Sequence, residues 1–487
     1  MRERYTAVAF AVVILISSAS LALPGAGSAG STPFGNLDPG DSVESDPATV
    51  DPEPAEHGST FASIESLHDA GVDGESVSVG VIGNRFDDSR QPIAGAVTAT
   101  RQFGGRGAIF ASGRHDTAVA EIVARTAPES NLYLAGVGRD ASPERYATAV
   151  QWLLEQDVDV VVDAASYFPA DAEGMDELNT VAAEAADSGV VFVTSAGNYA
   201  DRHWTGTATS EGWLSFAPDT AYNTLGDGPV SGDASLRLYW EGNADFDLFL
   251  YRSDAGEDTL VAKSVTNQSG NGTHSEAIDV ALPRGEYYVA VRGDEAANNT
   301  TVDLFSASHD LTETSQSGSM VAPATAENVI AVGAVDAVSG EARPYSSSGA
   351  NLDILAPDGA RTRVAGEFYG SSAAAPLVAG TVALMVSENE SLTPAETQRI
   401  LRRTAVQIDG RLYLNTPSAV DAVSTEALPG QPRRAWPTPG SSEEAVGDSW
   451  RSAPPYGTDT ASVNERDTAT PNPTQNATVR SDWGTGL

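Results

Sequence analysis

Short runs of β-branched and apolar residues alternate with amphipathic segments of helical length through residues 63–200. This alternation predicts βαβ units, which build a parallel sheet that is covered by helices on both faces. The strands are expected at residues 77–82, 131–135, 158–163 and 190–194. Functional side chains on such a sheet gather at the carboxyl ends of the strands.

Between residues 207 and 312 the pattern changes to strict alternation of polar and apolar residues, with turns rich in Gly, Asn and Asp. Alternation of this kind is typical of antiparallel strands, and it predicts a small β-sandwich inserted in the α/β domain. Asp245 and Asp247 on one of these strands could bind calcium, and a solvated strand face is the alternative.

Together with the tails, the expected division is a signal peptide (1–29), an acidic linker (30–58), a first part of the catalytic domain (59–206), the insert (207–312), a second part (313–427) and a disordered tail (428–487).

The composition is strongly acidic: 67 Asp and Glu residues stand against 28 Lys and Arg residues, for a formal net charge of −39. Lysine occurs once, at Lys263. A surface of this charge repels nucleic acid and anionic lipid, so neither is expected as a partner. Acidic residues spread along the whole chain suit a protein kept soluble in concentrated salt, where screening suppresses self-repulsion. We therefore expect a halophilic protein, and an ordinary acidic secreted protein is the alternative.

The N-terminus has the order of a secretory signal. Arg2 and Arg4 precede an apolar run at residues 7–23, and small residues follow at 24–29. This order predicts a cleaved signal peptide, with an uncleaved membrane anchor as the alternative. We expect a secreted, extracellular monomer that has no membrane contact after cleavage.

Cysteine is absent, which excludes disulfides, a thiol nucleophile and a cysteine-based zinc site. The six histidines show no metal-binding spacing. We expect no required cofactor, although calcium binding is possible.

Three motifs place reactive side chains where strands end or helices begin. Ser372 lies in G-S-S-A-A-A-P-L-V-A-G at 370–380, Asn198 closes S-A-G-N at 195–198, and His115 opens H-D-T-A-V-A at 115–120. An isolated serine at a helix start is usually only an N-cap. In this order and spacing, however, the motifs resemble those of the subtilisin family, whose patterns read G-T-S-M-A-A-P-H-V-A-G, S-A-G-N and H-G-T-x-V-A. The resemblance covers about residues 60–205 and 313–425.

The resemblance implies a subtilisin-like fold and a serine endopeptidase acting on protein or peptide substrates. Ser372 would be the nucleophile, His115 the general base, and Asn198 a donor in the oxyanion hole.

One element of the family pattern is missing. The family places its catalytic aspartate at the end of the first core strand, in a pattern like V-x-V-I-D-T-G, and this chain has Gly83 there. Loss of that carboxylate in a serine protease lowers turnover by about 10⁴-fold.

We expect Asp163 to be the acid partner of His115, because it ends an apolar strand where a charge needs a partner. The strand V-D-V-V-V-D at 158–163 is similar to one in subtilisin relatives grouped near the sedolisins, although those relatives have glutamate at the position of His115. Asp87 and Asp88, four and five residues after Gly83, are the alternative acid partners. Either carboxylate would have to fold back from the loop to reach His115, and four residues is a long distance for this because each extended residue spans about 3.3 Å. The remaining possibility is that His115 has no acid partner.

Two classes of function remain open. The first is a secreted endopeptidase that works through an acyl-enzyme. An esterase or a peptide ligase would use the same site, and the sequence does not distinguish them from an endopeptidase. The second is a catalytically silent binding or scaffold protein of the cell surface.

Overall fold

The computed structural model describes residues 13–14, 58–90, 92–104, 113–138, 141–254, 256–268 and 270–424. The expected signal peptide, acidic linker and C-terminal tail therefore lie outside the described residues, except for residues 13, 14 and 58.

Strands and helices alternate in the first half of the chain, as the sequence pattern predicts. In chain order they are α1 (Gly58–Asp69), β1 (Ser78–Gly83), β2 (Val97–Gln102), α2 (Arg114–Thr126), β3 (Asn131–Gly136), α3 (Pro143–Leu154), β4 (Val160–Asp163), α4 (Ala172–Asp187) and β5 (Val191–Ser195).

Antiparallel strands form the insert that follows. They are β6 (His203–Thr207), β7 (Val230–Gly242), β8 (Phe246–Ser253), β9 (Thr259–Ser264), β10 (Gly272–Gly293) and β11 (Thr301–Ser306).

The chain then returns to the first domain. The elements here are β12 (Ile330–Val335), β13 (Leu352–Pro357), β14 (Ala360–Thr362), β15 (Gly366–Phe368), α5 (Ser371–Glu388), α6 (Pro394–Thr404), β16 (Val406–Ile408), β17 (Arg411–Tyr413) and α7 (Thr416–Asp421). Shorter elements are the two-residue strands Val13–Ile14, Tyr167–Phe168, Gly212–Trp213 and Asn223–Thr224, and the 3₁₀ turns Ile93–Gly95 and Glu295–Ala297.

Nine strands form the main sheet, in the order β16-β17-β13-β12-β5-β4-β1-β3-β2. All neighbours are parallel except β16 and β17. One face packs against α1, α2, α5, α6 and α7, and the other against α3 and α4. The predicted α/β fold with helices on both faces and an inserted antiparallel sandwich is confirmed.

Helix α5 runs through the core of the first face, and every residue from Ser371 to Val386 is buried. Small residues allow this close packing against the sheet and α2. Within the described ranges, α5 is also the one helix long and apolar enough to cross a membrane, and 89% of that stretch is buried inside the protein.

The insert has its own apolar core and is joined to the first domain by a buried arginine. Strand β10 is 22 residues long and pairs with both β7 and β8, so it belongs to both layers of the sandwich. The fully buried Arg237 of β7 donates to the carbonyls of Phe168 and Pro169 and forms an ion pair with Asp279. The two bonds to the carbonyls join the insert to the segment that follows β4, whereas Asp279 belongs to the insert itself.

Candidate active site

Ser372 lies in the first turn of α5 and is 4% exposed. Its Oγ donates a hydrogen bond to the carbonyl of Ala164, at 3.0 Å. Ala164 directly follows β4, so the serine hydroxyl lies at the carboxyl end of the sheet. The backbone N–H of Ser372 has no acceptor in the described part of the chain, which is expected for the start of a helix. The hydroxyl therefore lies beside an available donor at the positive end of the helix dipole.

Asn198 follows β5 and is held against the same helix start. Its Oδ1 accepts hydrogen bonds from both the N–H and the hydroxyl of Ser371, each at 3.0 Å. Since the Ser371 proton is used there, Ser195 is the donor in the 2.6 Å contact between the two serine hydroxyls. This chain of bonds fixes which end of the Asn198 amide is the acceptor, and it directs the NH₂ group toward Gly370. A Cβ on Gly370, whose φ is +98°, would lie 2.8 Å from the Asn198 Nδ2.

His115 is in the first turn of α2 and its side chain is 11% exposed. Its Nδ1 lies 2.9 Å from Oδ1 of Asp116, the next residue in the chain. The Nε2 atom is buried and has no hydrogen-bond partner among the described residues. The ring packs edge-on against Phe368, four residues before Ser372, with 5.2 Å between ring centroids. One imidazole nitrogen is therefore bound to a carboxylate, while the other is unpaired near the serine helix.

The Asp116 carboxylate is buried, with 4% of the residue exposed, and both of its oxygens are engaged. Besides the contact with His115, its Oδ2 accepts the backbone N–H of Arg85 at 2.9 Å. Its position coincides with the space beside Gly83 at the end of β1. A Cβ built on Gly83 would lie 2.6 Å from Cγ of Asp116. A side chain at position 83 and the present Asp116 conformation exclude each other.

The expected contact between Asp163 and His115 is not formed. Asp163 is fully buried at the end of β4, where its Oδ2 accepts from the Tyr146 hydroxyl and its Oδ1 accepts from the Ala165 N–H, both at 3.0 Å. Burial raises the pKa of Asp163 from 3.8 to about 7, opposed by these hydrogen bonds and reinforced by the charge of Asp116. The strand-end carboxylate is thus satisfied by a tyrosine and a backbone amide, and the histidine binds Asp116 instead.

Asp87 and Asp88 do not reach His115 either. The Asp87 carboxylate accepts from Ser89, and its N–H donates to Thr117 Oγ1. Asp88 is exposed in the loop. His115 Nδ1 is bonded to Asp116 instead.

A third buried carboxylate, Asp358, is not predicted by the sequence patterns. Its side chain is fully buried and accepts from the Gly370 N–H at 2.9 Å, from Arg343 Nε at 2.7 Å and from the Tyr345 hydroxyl. Gly370 is the N-cap of α5, so Asp358 fixes the backbone directly before Ser371 and Ser372. Its place directly after the apolar strand β13 is the sequence signal that could have identified it.

Asp245 in the insert uses its carboxylate within the protein. It accepts from the Gln268 N–H at 2.9 Å and from Asn267 Nδ2 at 3.3 Å. Across the described ranges, no group of three or more His, Asp or Glu side chains is arranged to hold a metal ion.

Comparison with known proteins gives three results. The model of the subtilase family, peptidase S8, matches residues 259–435, a range that includes Ser372 but not His115. Alkaline elastase YaB of Bacillus sp. (strain YaB) is 28% identical over 240 residues, which are 45% of this chain and 54% of the elastase. Subtilisin DY of Bacillus licheniformis is 28% identical over 223 residues, or 42% of this chain and 79% of that protein. The chain thus spans about half the length of the first relative.

Among solved structures, the CspB protease of Clostridium perfringens superposes with a TM-score of 0.55 at 16% identity, covering 75% of this chain and 98% of that one. At this identity the likeness concerns the fold alone. The chain therefore has a subtilisin-like fold, and its sequence is similar to the subtilase family of serine peptidases.

Proposed function

We propose that this chain is an exported serine endopeptidase that cleaves proteins or peptides through an acyl-enzyme on Ser372. The observation that carries the proposal is the position of two motif side chains around the start of α5, where Ser372 lies. Asn198 bonds Ser371, and the ring of His115 packs against Phe368, four residues before Ser372. Among the described residues, the Nε2 atom of His115 has no hydrogen-bond partner. This set supports acyl transfer.

In the proposed reaction the Ser372 hydroxyl leaves the Ala164 carbonyl and donates to His115 Nε2 when substrate binds. Such hydrogen bonds are often absent before substrate arrives. As Oγ attacks the scissile carbonyl carbon, Nε2 takes the hydroxyl proton. The resulting imidazolium gives that proton to the leaving amine, and the C–N bond breaks. Water then repeats the sequence on the ester and releases the acid product and the serine.

The tetrahedral intermediate carries a negative charge on the former carbonyl oxygen. The Ser372 N–H and the Asn198 Nδ2 are the donors that we assign to it, supported by the bonds that hold the Asn198 oxygen on Ser371. The positive end of the α5 dipole favours the same charge. Removal of one such side-chain donor lowers turnover by about 10²- to 10³-fold, a magnitude established on subtilisin.

Export and salt adaptation belong to the same proposal. The N-terminal order of Arg2, Arg4, an apolar run and small residues supports secretion with cleavage after Ala26 or Ala29. The net charge of −39 supports activity in concentrated salt, where screening reduces repulsion between carboxylates. We expect the unfolding temperature to fall when KCl is lowered from molar to 0.1 M.

The test is to express the full chain in a salt-adapted host, recover it from the medium, and measure casein hydrolysis in molar KCl. Ser372→Ala is the matched control. Casein cleavage by the wild type and none by the variant is the expected result. Equal hydrolysis by both proteins would refute the role of Ser372, and no hydrolysis of casein or of a mixed peptide library by the folded wild type would refute the endopeptidase assignment.

A further inference from the structure

Two departures from the subtilase motifs are complementary. Where the family pattern has aspartate at the end of the first strand, this chain has Gly83, and where the pattern H-G-T has glycine after the histidine, this chain has Asp116. In the fold these two positions touch, because a Cβ on Gly83 would lie 2.6 Å from Asp116 Cγ and 3.0 Å from its Oδ1. The carboxylate thus fills the space that a side chain on the strand would otherwise occupy.

The contacts of Asp116 are those required of a group that orients a catalytic histidine. Its Oδ1 lies 2.9 Å from His115 Nδ1, and its Oδ2 is held by the Arg85 N–H at 2.9 Å. Neighbouring side chains on a helix do not normally face each other. The contact therefore depends on the helix start and on the Arg85 amide. A carboxylate in the first turn of α2 is also stabilised by the helix dipole.

From this geometry we propose that the acid of the triad has moved from the strand to the helix. Asp116 is a positioning residue that acts through His115. Gly83 is required because its lack of a side chain leaves room for the Asp116 carboxylate. Asp116 keeps the histidine proton on Nδ1, so that Nε2 is the nitrogen that accepts the Ser372 proton. This inference rests on the serine chemistry proposed above and adds the group that replaces the missing strand aspartate.

The test compares labelling rates by a fluorophosphonate in molar KCl, in which the serine oxygen displaces fluoride from phosphorus. The variants are Asp116→Asn, Asp116→Gly and the exchanged double variant Gly83→Asp/Asp116→Gly, with Asp163→Asn as a control carboxylate. Circular dichroism and the unfolding temperature of each protein show that it is folded.

We expect Asp116→Asn to slow labelling by about 10⁴-fold, the effect of removing the orienting carboxylate from a serine protease. With a fluorogenic peptide, kcat falls while KM changes little. A purely structural role would not lower kcat while leaving KM unchanged.

The exchanged double variant returns the carboxylate to the strand and the glycine to the helix. We expect it to be labelled at least about 100-fold faster than Asp116→Gly. This is part of the labelling rate, about 10⁴-fold, that removal of the orienting carboxylate is expected to cost. Asp163→Asn should label within a few-fold of the wild type.

Three results would overturn the inference. If the wild type and Asp116→Asn label equally fast, serine chemistry stands and the role of Asp116 is wrong. If the double variant is no faster than Asp116→Gly, the reciprocal relation with Gly83 is wrong. If the folded wild type is not labelled at all, the proposed function fails and this inference fails with it.

Discussion

Replacing Asp163 by asparagine should stabilise the protein at neutral pH, because the buried carboxyl group resists ionisation. Asp163 is completely buried and its pKa is raised to about 7 from 3.8, mainly by desolvation. In the unfolded chain the same group loses its proton near pH 4. Between these values the folded state binds the proton more tightly than the unfolded state does. The free energy of unfolding therefore falls as pH rises through this window.

The size of the effect follows from the distance between the two pKa values. One pKa unit corresponds to about 1.4 kcal/mol, so a shift of about 3 units costs up to about 4 kcal/mol of stability above pH 7. Asparagine has the same shape and no charge. Its oxygen can still accept the Ala165 N–H, and its NH₂ can donate to the Tyr146 hydroxyl oxygen. The loss of hydrogen bonding should therefore be smaller than the gain.

The measurement is urea unfolding in molar KCl, followed by tryptophan fluorescence, for the wild type and Asp163→Asn between pH 4 and pH 8. We expect the variant to be no more stable than the wild type at pH 4 and to gain stability steadily up to about pH 7. Above pH 7 the difference should level off. A difference that stays constant within about 0.5 kcal/mol over the whole range would refute the reasoning, since one pKa unit alone exceeds that value.

Three further substitutions probe the groups around the site. In Gly370→Ala the new Cβ would lie 2.8 Å from Asn198 Nδ2 and displace that donor. We expect kcat to fall by at least about 10²-fold, the effect of losing an oxyanion-hole donor. An unchanged kcat would contradict this. Asp358→Asn should lower both kcat and the unfolding temperature, because one partner of the buried carboxylate loses its acceptor, and this is checked by peptide kinetics and calorimetry. Glu121→Gln should destabilise the protein by about 1–3 kcal/mol in urea unfolding, because Glu121 is buried and its two oxygens accept the N–H groups of residues 363 and 364.

The fold was predictable from residue patterns because the physical signals are local and repeated. Buried parallel strands need continuous apolar runs, and the helices between them need one apolar face. The sandwich is predictable in the same way, from the alternation of polar and apolar residues between 207 and 312. The motif serine, asparagine and histidine also lie where strand ends and helix starts were expected, at the carboxyl edge of the sheet.

The acid partner of His115 could not be found by the same reasoning. A parallel sheet gathers its functional groups at the carboxyl ends of its strands, and this rule favours Asp163 by position. Its side chain, however, is occupied by Tyr146 and the Ala165 N–H. Adjacent side chains on a helix usually diverge, so the sequence does not predict the contact between His115 and Asp116. The available signal was the paired exchange, with glycine at 83 where aspartate was expected and aspartate at 116 where glycine was expected.

The central claim, a nucleophilic serine at the start of α5, is tested most directly by mapping the site of fluorophosphonate modification. The full chain is treated in molar KCl, its intact mass is measured, and the modified peptide is sequenced by mass spectrometry. We expect a single adduct on Ser372, absent from Ser372→Ala. An adduct on any other residue, or none on protein shown to be folded, would contradict the claim.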